Sequence, residues 1–245
     1  MPAESNRPRG VFVTGTDTGV GKTLVAAALA RFLSDRGVDV AVVKPVETGV
    51  DAPAAPGPDA RLLRWASRYA GSDDRLAPLR LRLPLAPSTA AEKEGRRIDP
   101  GALQAAIADV AGRAQFTIVE GAGGLMVPLA GGYLTADLVR DSGLPLLTVC
   151  RPGLGTINHT LLTLFAARTM DIPLAGFLIN DMPVPPGEAE ESAPHTLASL
   201  ASADLLGVLT HVAGSEEQKV EALAGQIRTL PTLPWLLAAL EIPEG

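Results

Sequence analysis

The chain has 245 residues, 47% apolar and 20% charged, with a formal net charge of −6. That composition excludes disorder as the main state and supplies one large core; the acidic balance excludes a broad basic face for nucleic acid. No run of about 18 uncharged apolar residues occurs, so no membrane span is expected, and the single Cys150 excludes an internal disulfide or a thiolate zinc cluster.

Residues Met1 to Arg9 are polar, which predicts a disordered N-terminus without a secretory leader and a cytoplasmic protein. Val11 to Thr14 reads as a strand buried on both faces. Thr23 to Arg36 reads as an Ala/Leu/Val helix stopped by Gly37. Val38 to Val43 is a second strand. Asp99 and Pro100 form an N-cap and N1 pair opening a helix to about Ala114. Phe116 to Val119 and Leu146 to Cys150 are further strands. Helix Asn158 to Met170 leads into strand Leu174 to Ile179. A helix over about Glu190 to Ala203, a strand at Leu206 to Leu209 and a helix near Lys219 to Thr229 follow. Residues 71–97 and, beyond that last helix, the final thirty carry little that can be assigned. The alternation predicts a single α/β domain over 1–245, its mostly parallel central sheet covered by helices on both faces. Ligands of such sheets collect at the carboxyl ends of strands.

Chemistry is concentrated there. Gly15-Thr16-Asp17-Thr18-Gly19-Val20-Gly21-Lys22-Thr23 joins a buried strand to a helix. Its glycines let successive N–H groups point inward at a phosphate, Lys22 can bridge phosphate oxygens, and the Thr23 hydroxyl can ligate Mg²⁺. Five residues rather than four separate Gly15 from Gly21, so this is a phosphate loop with one extra residue, and the fold expected is P-loop NTPase-like. Lys44-Pro45-Val46-Glu47-Thr48-Gly49 leaves the second strand. Lys44 there is either a second cation for a phosphoryl group in transfer or a solvated turn residue. Glu120-Gly121-Ala122-Gly123-Gly124 follows the Phe116 strand, with Glu120 a Mg²⁺ ligand or an ordinary cap or loop acid. Asp59, before an apparent helix at Ala60, reads as an N-cap or a metal ligand. Asn158 caps the helix after Leu154-Gly155-Thr156-Ile157 or does other work, with His159 beside it as a surface residue. Asn180-Asp181 either reads a nucleobase edge or makes an Asx turn. Cys150 reads as a buried strand residue.

Together these five motifs, in this order, resemble the dethiobiotin synthetase family, ATP-dependent ligases of biotin biosynthesis. The resemblance implies a homodimer using Mg²⁺, ATP, CO₂ or bicarbonate, and 7,8-diaminononanoate, with no nucleic acid and no membrane. It implies that Thr23, Asp59 and Glu120 hold Mg²⁺, that Lys22, Lys44 and Thr18 serve catalysis, and that Thr18 and Thr48 position the diamine. Gly155, Thr156 and Asn158 would meet the substrate carboxylate across the dimer interface. Gly19, Val20, Gly21, Lys22, Thr23, Leu24, Asp59, Glu120, Gly121, Ala122, Gly123, Asn180 and Asp181 would line the nucleotide, Asn180 on adenine, with a weaker contribution from Thr210, His211 and Val212. Gly19 stands where some members carry glutamate. Gly207-Val208-Leu209-Thr210-His211 replaces a Pro-Trp of some members, so that segment is expected to meet adenine through its backbone.

Two other classes compete. A cobyrinate-type amide ligase of the same branch usually adds a glutaminase domain, for which 245 residues are too few. Nucleotide-switched dimers that position DNA or membranes carry a second lysine early in the loop, where Thr16-Asp17 stand here. Their membrane-binding members end in a basic amphipathic helix, and the segment from Trp235 ends in Glu241 and Glu244.

Overall fold

The computed structural model describes residues 9–243; the disordered N-terminus expected for 1–9 lies, Arg9 apart, outside them. The first half runs β1 (Gly10–Gly15), α1 (Lys22–Asp35), β2 (Val40–Val43), β3 (Val46–Glu47), α2 (Pro58–Ser67), α3 (Asp73–Leu76), β4 (Leu79–Arg80), α4 (Pro87–Lys93) and α5 (Pro100–Ala111). The second runs β5 (Phe116–Gly124), β6 (Pro128–Ala130), β7 (Tyr133–Leu134), α6 (Thr135–Ser142), β8 (Leu146–Cys150) and α7 (Thr156–Thr169). It closes with β9 (Leu174–Met182), α8 (Glu188–Leu200), β10 (Leu205–Thr210), α9 (Glu216–Arg228) and α10 (Leu233–Ala239).

Six strands form one sheet in the order β10-β9-β8-β1-β5-β2, all parallel. The order reverses around β1, which makes its carboxyl end the switch point of the sheet. Side chains alternate across it. Val11, Val13, Ile118 and Val149 pack with α1, α2, α9 and α10, while Phe12, Val119 and Leu146 pack with α4, α5 and α6. A smaller cluster joins Cys150, Phe177 and Ile179 to Leu164 of α7 and Leu197 of α8. Burial pushes the Cys150 thiol up to about 12, so the chain's one cysteine is chemically quiet. Helix α1 is central because Ala26, Ala27, Ala28 and Ala30 are small and fully buried, letting it lie between the sheet, α2 and α9. Among the described residues no helix is long and apolar enough to cross a membrane.

Several expected boundaries move. β5 continues through Gly124 and β9 through Met182, so the acid and amide motifs lie inside strand extensions rather than in loops beyond them. β2 starts at Val40, α1 at Lys22, α8 at Glu188, ending at Leu200, and α9 at Glu216. The Asp99 cap holds: its side chain accepts from Gly101 and Ala102 N–H. Residues 71–97, unassigned from sequence, hold α3, β4 and α4.

Candidate active site

The phosphate loop turns from β1 into α1 through Gly21, whose φ of 86° is left-handed and therefore favours glycine. A Cβ there would strike the Asn180 amide, so glycine is needed twice over. Lys22 opens the helix with its ammonium donating to the Asp17 carbonyl at 3.2 Å. It is 7% exposed, and burial lowers its pKa against the opposing pull of Glu120.

Sheet register assembles the charged groups. Val43 pairs with Val119 and Val13 with Glu120, so Lys44 and Glu120 leave adjacent strands at one level beside the phosphate loop. The Lys44 ammonium lies 2.6 Å from Glu120 Oε1 and 2.9 Å from Asp59 Oδ2, and donates to the Gly121 carbonyl at 3.4 Å. Thr23 Oγ1 donates to the same Glu120 oxygen at 2.8 Å. Burial alone would depress the Lys44 pKa, but Glu120 and Asp59 outweigh it and hold it above the ordinary lysine value. Burial raises the Glu120 carboxyl against the pull of Lys44. Lys44 is 3% exposed and Glu120 fully buried, which removes the solvated-turn reading of the first and the loop-acid reading of the second.

Lys22 and Lys44 line one cavity together with Thr18, Thr23, Thr48, Asp59, Glu120, Ala122 and Gly123. The donors there fit Mg²⁺. Glu120 Oε2 is buried without a partner, and the surrounding ligands are all oxygens of hydroxyl or carboxylate type. Among the described residues no group of three or more His, Cys, Asp or Glu forms a metal cage. Few protein ligands is the habit of Mg²⁺, which completes its shell with phosphate oxygens and water.

The N-cap reading of Asp59 is corrected. Gly57 occupies the cap position of α2 and Pro58 the first helical one, making Asp59 the second. The orphan N–H groups are instead met by Glu47, which accepts from Gly57 at 2.9 Å, Asp59 at 2.9 Å and Ala60 at 3.3 Å. Asp59 is thereby free to face Lys44. Glu47 was legible only as part of a motif; its partners lie 10 to 13 residues on, and no local pattern predicts them.

A second cavity shares Gly19, Gly21 and Leu24 with the first and is lined by Val20, Arg151, Asn180, Asp181, Thr210, His211, Val212 and Lys219. Asn180 is not in an Asx turn. It lies within β9, 4% exposed, and its Nδ2 donates to the Val20 carbonyl at 3.1 Å, leaving Oδ1 for a ligand. Part of the backbone expected to meet adenine is engaged within the chain. Thr210 N–H and C=O pair with Gln226 at 2.8 and 3.2 Å, and His211 N–H with the Met182 carbonyl at 2.8 Å. Both residues line the cavity, and His211 Nδ1 lies 2.7 Å from Asp181 Oδ1. Arg151 and Lys219 here, and Glu216 in the first cavity, escaped the sequence reading. Only Arg151, just after strand β8, carried a positional signal.

Helix α7 starts at Thr156 with Gly155 at its cap, so Asn158 is the third helical residue and caps nothing. Asn158 is exposed, and Thr156 is buried with its hydroxyl 3.5 Å from that of Thr160. His159 is half-buried, its Nδ1 3.1 Å from Arg151 Nη2. None of Gly155, Thr156 and Asn158 is among the described residues lining either cavity.

Known proteins share this architecture. A family model described as an AAA domain matches residues 9–236. A chain of the MinC:MinD cell division protein complex of Aquifex aeolicus superposes with a TM-score of 0.56 at 15% identity, over 95% of this chain and 94% of that one. A ParA family ATPase from Chlorobium tepidum gives 0.56 at 13%, over 96% and 99%. Sheet order and phosphate loop define a P-loop NTPase, and likeness at such low identity carries the fold alone.

Closer likeness lies in sequence. The ATP-dependent dethiobiotin synthetase BioD of Bacillus velezensis is 40% identical over 86% of this chain and 91% of its own length. That of Aromatoleum aromaticum is 41% identical over 88% and 96%, and that of Anaeromyxobacter dehalogenans 45% over 70% and 76%. The chain belongs to the ATP-dependent dethiobiotin synthetase family.

Proposed function

We propose that the chain closes the ureido ring of dethiobiotin from 7,8-diaminononanoate, CO₂ and ATP. One amine adds to CO₂ and loses a proton, forming a carbamate. A carbamate oxygen attacks the γ-phosphorus of ATP and ADP leaves. The second amine then attacks the carbonyl carbon and loses a proton, the carbon–oxygen bond to the phosphoryl group breaks, and phosphate departs with the ring closed.

The observation carrying this reading is the convergence of Lys22 and Lys44 in one cavity with Thr23, Asp59 and Glu120. A carbamate and a triphosphate repel each other, so joining them needs fixed cations and donors more than a strong base. Lys22 holds phosphate oxygens at the start of α1, helped by the helix N-terminus. Lys44 presents its ammonium, kept protonated by Glu120 and Asp59, to the carbamate and the phosphoryl oxygens. Thr18 and Thr48 line the same cavity and orient the diamine. Thr23, Asp59 and Glu120 would hold Mg²⁺, which when bound neutralises charge on the phosphates. Asn180 Oδ1, with Asp181, His211 and Val212, bounds the place for the base. The proposal includes a homodimer in which Gly155, Thr156 and Asn158 serve the partner's substrate carboxylate, supported by the exposed apolar side chains beside Asn158.

The test is ADP release with diamine and bicarbonate added singly and together, with the product weighed by mass spectrometry. Release that requires both and yields the cyclic urea is expected. Equal hydrolysis without diamine would overturn the reading.

A further inference from the structure

We propose that Glu47 is a positioning residue for the reaction site: it pins the first turn of α2 so that Asp59 stands at the Lys44–Glu120 cluster. Glu47 ends the two-residue strand β3 and is 2% exposed. Its carboxylate takes the place of an N-cap side chain on a helix far along the chain. Oε2 accepts from Gly57 N–H, and Oε1 accepts from both Asp59 and Ala60 N–H. Bonds from backbone N–H to a carboxylate are charge-assisted, and the positive end of the helix strengthens them.

Two further observations show that this contact is built for closeness. Gly57 carries no side chain where a Cβ would run into the Glu47 carboxylate and Val50. Helix α2 has no side-chain cap of its own, although its first turn already contains Asp59. An acid in that turn would normally serve its own helix N-terminus. Here Glu47 meets those donors, and Asp59 Oδ2 is turned to Lys44 at 2.9 Å. The main-chain carbonyl of Glu47 accepts from Leu81 N–H at 2.8 Å, tying the residue to the neighbouring segment as well. Glu47 touches neither cavity. Its effect passes through the Asp59 backbone, whose N–H it holds, to the Asp59 carboxylate.

The inference rests on the reading of Asp59 as a metal ligand, and the experiment separates the two. Mn²⁺ is titrated by electron paramagnetic resonance with a non-hydrolysable ATP analogue present, in the unmodified protein, Glu47→Ala, Glu47→Gln, Asp59→Ala and the double variant Glu47→Ala/Asp59→Ala. The Mg²⁺ concentration giving half-maximal ADP release is read alongside. Glu47→Ala is expected to weaken Mn²⁺ binding about tenfold, the usual scale for residues that orient a ligand. Glu47→Gln keeps an oxygen for the Asp59 and Ala60 N–H groups and shifts it less, which also covers failure of Glu47→Ala to fold. On the Asp59→Ala background the Glu47→Ala step is expected to add less than about twofold, because residues acting as one unit do not add. A full Glu47→Ala shift on that background overturns the inference, as does an unshifted Glu47→Ala beside a shifted Asp59→Ala. No shift in Asp59→Ala itself removes the metal reading and the inference with it.

Discussion

The ammonium of Lys44 answers two carboxylates, and that balance decides what a substitution there does. Removing it takes from the buried Glu120 its direct ion-pair partner, and burial already drives that carboxyl toward its protonated form. The variant therefore loses charge at the reaction site while the pocket can neutralise itself. Lys44→Ala is expected to lower kcat for diamine-dependent ADP release at least about a hundredfold, the scale of one charge contact made to a transition state. Near-normal turnover would take Lys44 out of the mechanism. Lys44 and Glu120 were legible because each is a charged residue at the end of an expected strand. Asp59, inside a helix, stays open between a cap and a metal ligand until the family resemblance is weighed. Glu47 was not legible, since its role consists of bonds to a helix that residue types do not announce.

At the scale of elements, the same limit explains where boundaries moved. Glycines and an Asn-Asp pair read locally as chain turns, yet pairing with β1 and β10 draws β5 and β9 on to Gly124 and Met182. The short β3, β4, α3 and α4 lack the length for a periodic signal and form because neighbouring segments bond them, as in the Gly49 to Leu83 and Val50 to Leu81 contacts. The junction of β1 and α1 was legible, and it is also where elements depend on each other most. Asn180 of β9 donates to the Val20 carbonyl and packs on Gly21, so strand and phosphate loop share one geometry. Gly21→Ala places a Cβ against that amide at a φ of 86°, where a side chain costs about 1–2 kcal/mol by conformation alone. A rise of at least about tenfold in the ATP KM is expected, matching 1.4 kcal/mol. The measurement is ADP release against ATP concentration at saturating diamine; an unchanged KM would show that the loop tolerates the shift.

The whole molecule was readable as alternating strands and helices around a parallel sheet, because burial on both faces writes continuous apolar runs into strands. What one chain's pattern does not announce is a surface meant for another copy. On α7, Asn158, Leu162, Phe165 and Thr169 recur at helix spacing and share one exposed face. Leu162 is 58% exposed, Phe165 67%, and Leu154 just before the helix 90%. Large apolar side chains grouped in this way on a water-facing helix mark a contact surface, and Asn158 lies on the same face. In the homodimer proposed above, a partner seated there would take Asn158, which lines neither cavity of its own chain, toward its own substrate site. Phe165→Glu then tests assembly and activity together. An aromatic anchor at such a centre is worth at least about 2 kcal/mol, or roughly thirtyfold in dimer dissociation. Sedimentation is expected to show the unmodified protein at twice the 25.3 kDa chain mass and the variant shifted toward the single chain at micromolar concentration. Diamine-dependent turnover should fall with the dimer fraction. Binding of an ATP analogue should persist, because the base cavity is built within one chain. A variant that remains dimeric and active would place the interface elsewhere and return Asn158 to the role of a surface residue.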